Sequence, residues 1–135
     1  MILDDLLKLA DAQESTVSAA STSYIDTLVK GDSYEGAWFL IRIDTAVTAS
    51  GSATVDFALQ TDSDAGFATN LKTLVSSGAV AKATLIKGHE IKLRIPPGAL
   101  RYLRGYATIA SGPLTAGKWD MWIVKDVDMG NQQLA

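Results

Sequence analysis

The chain has 135 residues, 47% of them hydrophobic and 20% charged, which excludes a disordered chain and fits a single domain with one buried core. A formal net charge of -3 excludes the overall basic footprint of proteins that grip a phosphate backbone, so no nucleic-acid partner is expected. The sequence has no cysteine, no signal-peptide pattern and no apolar run near the ~20 residues of a membrane span. Disulfides, thiolate chemistry and a membrane partner are therefore not expected, and assembly in a reducing cytoplasm fits.

Taken in chain order, Ile2–Ala10 places Ile2, Leu3, Leu6, Leu7 and Ala10 at three- and four-residue spacing. That spacing predicts a short amphipathic helix, although about nine residues need tertiary support to hold one. The segment either caps the domain or, as part of an arm over residues 1–14, docks on a neighbouring subunit. Ala12–Ala20 is small and polar, and Ser21–Ile25 reads as a modest strand. Gly31, Asp32, Ser33 and Gly36 mark a loop.

Ala37–Val47 is the clearest strand: Ala37, Phe39, Ile41, Ile43, Thr45 and Val47 share one face, and Trp38, Leu40, Arg42 and Asp44 the other. After Ser50-Gly51-Ser52, the run Ala53–Thr61 turns Ala53, Val55, Phe57 and Leu59 inward, and the two runs are expected to form a hairpin. A polar loop, Asp62–Gly66, leads to shorter strands at Leu71–Val75 and Ala79–Ile86, split by Ser76-Ser77-Gly78. Lys87–Glu90 is a turn, and Ile91–Ile95 alternates until Pro96-Pro97-Gly98 ends it.

Tyr102–Ala110 turns Leu103, Ala107 and Ile109 one way and Tyr102, Arg104, Tyr106 and Thr108 the other. In Lys118–Val127, Trp119, Met121 and Ile123 oppose Lys118, Asp120 and Trp122, and these two runs read as a strand pair. About eight short strands give an all-β antiparallel sandwich, for which a jelly roll is the natural topology.

Candidate chemistry is sparse. The one histidine, His89, sits in a turn with no G-x-S-x-G elbow, and without cysteines it lacks the co-ligands of a zinc site. Asp62 and Asp64 form a D-x-D-x-G fragment whose carboxylates suit either a hard cation or turn-forming bonds to backbone amides, the latter being the commoner use. No catalytic, cofactor or metal residue is assigned. Trp38 and Trp122, with Leu40 and Val124, lie opposite the main apolar stripe, where a solvated face should not carry tryptophan unless something covers it. The cover is the chain's own segments, another subunit, or a stacked sugar. Lys82, Lys87, Lys92, Arg94, Arg101 and Arg104 form a local run of positive charge suited to an acidic partner surface.

Several stretches resemble the capsid cement (decoration) proteins of short-tailed bacteriophages, of the kind found on a Bordetella phage. They are Asp11-Ala12-Gln13, Ser18–Thr22 running on to Ile25-Asp26, Ser50–Val55 with Phe57, Leu59, Gln60 and Thr61, Pro96-Pro97-Gly98 before Arg101–Arg104, and Ala116-Gly117. The resemblance implies a jelly roll outside a phage shell, dimeric, bridging neighbouring major capsid subunits, with no enzymatic activity and no cofactor. On that reading Ile2, Leu3, Leu6 and Leu7 are a docking arm, Trp38, Leu40, Trp122 and Val124 a subunit contact, and Arg101 and Arg104 polar contacts to the capsid. The rival readings are a carbohydrate-binding jelly roll of a tail or enzyme and, less well supported, a cupin-like enzyme.

Overall fold

The alternating runs of the sequence do become strands, but their partners differ from those the loops suggest. In the computed structural model, which describes residues 7–28 and 36–124, eight strands follow in order. They are β1 (Lys8–Glu14), β2 (Ala19–Asp26), β3 (Trp38–Thr48), β4 (Thr54–Asp62), β5 (Lys72–Ala81), β6 (Glu90–Arg94), β7 (Tyr102–Ala110) and β8 (Ala116–Val124). One four-stranded sheet has the order β1-β8-β3-β6 and the other β2-β7-β4-β5, with every pairing antiparallel. Successive strands thus mostly alternate between sheets, which is the jelly-roll winding.

The expected hairpin of Ala37–Val47 with Ala53–Thr61 is therefore not formed: β3 pairs with β6 and β8, while β4 pairs with β5 and β7. Nor do Tyr102–Ala110 and Lys118–Val127 pair with each other, because β7 and β8 lie in opposite sheets. In both cases the connection arches over the end of the sandwich. Each pair of apolar faces then meets across the core rather than side by side. Leu114, buried in the β7–β8 connection, has its amide on Thr16 O at 2.9 Å, while Thr115 donates to Thr48 O at 2.8 Å.

The N-terminal helix expected over Ile2–Ala10 is corrected where the structure describes it, since Lys8–Glu14 is a strand. Its pairing with β8 slips between Lys8 and Ala10 and again between Ala10 and Gln13. Leu9 and Ala10 are consequently both buried, although adjacent in sequence. Ile2, Leu3 and Leu6 lie outside the described residues. The two short strands expected around Ser76-Ser77-Gly78 are one strand, β5, in which the register shifts there and Gly78 takes the left-handed conformation (φ 73°). Ala79–Ile86 remains strand only to Ala81. Lys82–Thr84 turns the chain, and Leu85 plugs the core.

The core lies between the sheets and holds the inward residues expected from period two, including Phe39, Ile41, Ile43, Val55, Phe57, Leu59, Leu103, Ala107, Trp119, Met121 and Ile123. Thr45 is an exception, exposed because the β3–β8 register shifts beside it. Phe57 and Trp119 meet edge-to-face at 5.2 Å and 82°, a favoured aromatic geometry. Gly105 of β7 sits where the sheets approach most closely. A Cβ there would lie 2.3 Å from Met121 Sδ and 3.4 Å from Phe39 Cζ.

The sheet edges are guarded against added strands. On β2 the Gln13 side chain bonds both Ala20 O, at 2.8 Å, and the Thr22 amide, at 3.0 Å, taking the place of a neighbouring backbone. The register of β1, β2 and β5 is broken by bulges, and β6 has only five residues with Glu90, Lys92 and Arg94 among them. Bulges, short length and charge are the usual ways a sandwich blunts its edges.

Candidate protein interface

The outer face of the β1-β8-β3-β6 sheet brings together Trp38, Leu40, Trp122 and Val124. Register explains it: Trp38 lies opposite Val124 on β8 and Arg94 on β6, and Leu40 lies between Trp122 and Lys92. The four form a second apolar cluster, separate from the main core. Three of them are sealed, with Leu40 0%, Trp122 4% and Val124 1% exposed, while Trp38 is half-buried. Part of the seal is cationic. Lys8 Nζ stands 5.3 Å and Arg42 Cζ 4.7 Å from the Trp122 ring centre, and Arg94 Cζ is 5.6 Å from that of Trp38. Such side chains lay an apolar stem along a ring and keep a charge in water.

Two of those cations, and Lys92 beside them, are paired with acids. Arg42 pairs with Asp120 at 3.7 Å, Lys92 with Glu90 at 3.6 Å and Lys8 with Asp11 at 3.3 Å. Asp120, itself buried, also accepts the Ala12 amide at 2.5 Å, which ties down a residue of β1 in the left-handed conformation (φ 47°). Leu7, the one described member of the N-terminal set, packs against the main core and not against this cluster.

Arg101 and Arg104 belong to the opposite side of the molecule. On the outer face of the β2-β7-β4-β5 sheet, Tyr102 lies opposite Asp26 and Asp62, Arg104 opposite Tyr24 and Gln60, and Tyr106 opposite Ala20 and Ala58. Tyr24, Tyr102 and Phe67 form a three-ring edge-to-face cluster with centres 5.7, 6.1 and 6.4 Å apart. The ring of Tyr24, 52% exposed, is its outermost member. Arg104 Cζ stands 4.5 Å from the Phe67 ring centre and 5.3 Å from that of Tyr106, and its Nε donates to Gln60 Oε1 at 2.9 Å. Arg101 stacks on Tyr102 at 5.0 Å and gives a two-pronged bond to Asp26, 2.7 and 2.9 Å long. That bond from Arg101 holds the Asp26 carboxyl below its ordinary value and raises the arginine in turn.

The signal for this second face was partly hidden. Alternation along β7 placed Tyr102, Arg104 and Tyr106 outward, but Phe67 comes from the loop after β4, where no periodicity operates. Asp62 sets that loop. Its buried carboxylate accepts the amides of Asp64, Thr69 and Asn70 at 3.1, 3.1 and 2.9 Å. Burial pushes the Asp62 carboxyl up, but the amides of Asn70, Asp64, Thr69 and Ser63 together outweigh it and hold it below the ordinary value. The D-x-D-x-G fragment thus organises a turn, with Asp64 capping the Gly66 amide at 3.1 Å and its carbonyl taking that of Phe67 at 3.0 Å. Phe67 is left in the left-handed conformation (φ 53°), its ring buried among the tyrosines. Asp64 followed by Gly66 and a lone aromatic was the available clue.

Elsewhere the chemistry is thin. Among the described residues no group of three or more acidic or histidine side chains is placed to hold a metal ion. The carbonyl of His89 accepts the Ile43 amide at 2.9 Å in the turn before β6. A depression of about 570 Å³ between the β1–β2 and β7–β8 connections is lined by Thr16, Val17, Ser18, Ile109, Gly112 and Pro113, none of them ionisable.

These features define an all-β jelly-roll domain whose distinctive side chains are Trp, Tyr, Phe and Arg set on its two outer faces. The chain belongs to the Bbp16 family, whose model matches residues 9–123, from the second residue of β1 to the penultimate residue of β8, and this is a family of bacteriophage proteins. No curated protein matches the chain.

Proposed function

We propose that this protein is a structural component of the virion that binds the outside of the phage capsid and joins neighbouring major capsid subunits, as a dimer, with no catalytic role. The observation that carries the reading is its two-sidedness. Each outer face presents tryptophan or tyrosine with arginine, the residue types that dominate binding energy at protein contacts, and each set is already fixed by ring and cation contacts within the chain. Joining neighbours requires two contact surfaces, and fixing them beforehand lowers the ordering cost of each contact. Many copies around a shell make modest contacts effective together.

In this reading the half-buried Trp38 and the exposed Arg94 mark the contact between copies, and the Arg101/Arg104 face meets the shell. The test is sedimentation of the purified protein with expanded shells that lack it, with its mass measured by light scattering. Co-sedimentation and a dimer mass that falls to a monomer in Trp38→Ser are expected. A protein that stays in the supernatant sinks the proposal. Trp122→Ser is a poor probe of association, because Trp122 is already buried within one chain. The exposed Tyr24 ring supports a second reading, carbohydrate binding. The edge-to-face packing of its neighbours, however, offers no broad flat platform for a sugar, and an empty glycan array is expected.

A further inference from the structure

Two arginines three residues apart on the same face are in different chemical states. Arg101 is spent on Asp26 through two hydrogen bonds. Arg104 is held just as firmly, between the rings of Phe67 and Tyr106 and by Gln60, yet among the described residues none of its bonds goes to a carboxylate. Among the described residues only its Nε is hydrogen-bonded, and a guanidinium carries five N–H donors in a rigid fork that matches a carboxylate.

We infer that Arg104 is the receptor for a carboxylate on the shell protein, with Tyr24, Tyr102 and Tyr106 closing around it as an apolar rim. This rests on the virion reading above and assigns the face by which the protein meets the shell. Charge decides the occupant. The acids nearest Arg104 are already committed: Asp26 to Arg101, Asp62 to loop amides, and Asp56 to the Ser76 hydroxyl at 2.5 Å. An incoming Asp or Glu therefore meets an arginine without a carboxylate partner among the described residues, while the carboxylates of Asp26, Asp62 and Asp56 are each turned to a donor of this chain. On the opposite face Arg42, Lys92 and Lys8 each have an acid partner in the chain, while Arg94, with none among the described residues, lies on the Trp38 ring assigned above to the contact between copies.

Geometry also explains why the loop after β4 is built as it is. Asp62 anchors the loop, the loop positions Phe67, and the Phe67 ring is one wall of the Arg104 site. The site is thus assembled before any partner arrives, and a docking carboxylate has only its own ordering to lose. Rings flanking the guanidinium also limit water around it, which strengthens a charge-assisted bond made there.

Co-sedimentation with expanded shells lacking the protein tests this, using the full chain and the variants Arg104→Glu, Arg104→Lys and Arg101→Gln, each checked for an unchanged melting temperature. Removal of one partner from a desolvated charge pair predicts about thirtyfold or greater loss of binding for Arg104→Glu. Arg104→Lys should fall in between, since the ammonium keeps the charge but neither the fork nor the stacking. Arg101→Gln should lose less than Arg104→Glu, since the Arg101 fork is already bonded to Asp26. Wild-type binding that Arg104→Glu leaves intact overturns this inference and spares the virion reading. Failure of the wild type to sediment overturns the virion reading and this inference with it. Arg104→Glu that binds shells normally but becomes monomeric assigns the face to a contact between copies, which also overturns it.

Discussion

Gly105→Ala is the sharpest probe of how the two sheets are held together. The added methyl carbon would lie 2.3 Å from Met121 Sδ, 3.4 Å from Phe39 Cζ and 3.5 Å from Met121 Cε. Non-bonded carbon atoms settle at about 3.5–4.0 Å, so the sulfur must retreat by more than ~1 Å, whereas Phe39 needs almost no shift. Met121 and Phe39 are both fully buried, which leaves the thioether only the packed core to move into. Overpacking of this kind costs about 1–3 kcal/mol. For a chain of this length that is a fall in Tm of about 3–10 °C. Met121→Ala alone should cost about 2–5 kcal/mol through the cavity it leaves. The double variant should be less destabilised than the sum of the two, by about 0.5–3 kcal/mol, because each change relieves the other. Urea unfolding with an unchanged m-value measures all three. A neutral Gly105→Ala, or strict additivity, would refute the close approach of β7 to β8 across the core. The same strand carries Arg104 and Tyr106, so a displaced β7 should also weaken the docking face.

Acid should act through Asp26 and Asp62, both of whose folded values are lowered below the ordinary 3.8. Their contribution to stability is complete above that value and is lost as pH falls through the lowered ones. Amide exchange at Thr69 and Asn70 should therefore accelerate below about pH 3.8, and Asp62→Asn should show fast exchange at neutral pH too; flat exchange in both would discard Asp62 as the loop anchor. Trp119 Nε1 is buried and has no hydrogen-bond partner among the described residues. Trp119→Phe should then cost less than the ~3–5 kcal/mol of a large aromatic truncation, since it also removes an unpaired donor worth about 1–3 kcal/mol; a full-sized loss in thermal unfolding would mean the indole N–H is satisfied. Gln13→Val strips the cover from Ala20 O and the Thr22 amide. It should raise concentration-dependent aggregation in light scattering, and unchanged scattering would show that the β2 edge needs no guard.

Much of the sandwich was legible because its code is local. Leu103, Ala107, Trp119, Met121 and Ile123 face inward wherever period two says they should. Which strand lies beside which was not legible, since a five-residue connection such as 49–53 closes a hairpin or arches between sheets equally well, and both leave the same alternation. The N-terminal run misled because Leu7 and Ala10 keep a three-residue spacing in a segment that is strand from Lys8 onward, where a bulge buries Leu9 and Ala10 in succession. The two tryptophans were rightly singled out as needing cover. That cover includes Lys8 and Arg42, one of them from a strand 108 or more residues distant in sequence from its contact. No windowed pattern reports such a pairing. Phe67 was missed because its place depends on Asp62 satisfying three amides, a tertiary arrangement that a single aromatic in a polar loop does not advertise.

The edge guards and the fixed faces point the same way. A protein that adds strands at its edges can extend without limit, and one held in many copies on a large surface would be prone to do so. Here the ladder is interrupted on β1, β2 and β5, shortened on β6, and mimicked by Gln13 on β2, so open-ended strand pairing is disfavoured on both sheets. Association through faces behaves differently, because a face built from a few large side chains has one register and one partner geometry. Trp38 with Arg94 on one side, and Arg104 between Phe67 and Tyr106 on the other, are such faces. The closed, repeated contacts of the proposed function would draw on the same sequence features that keep the sandwich from polymerising.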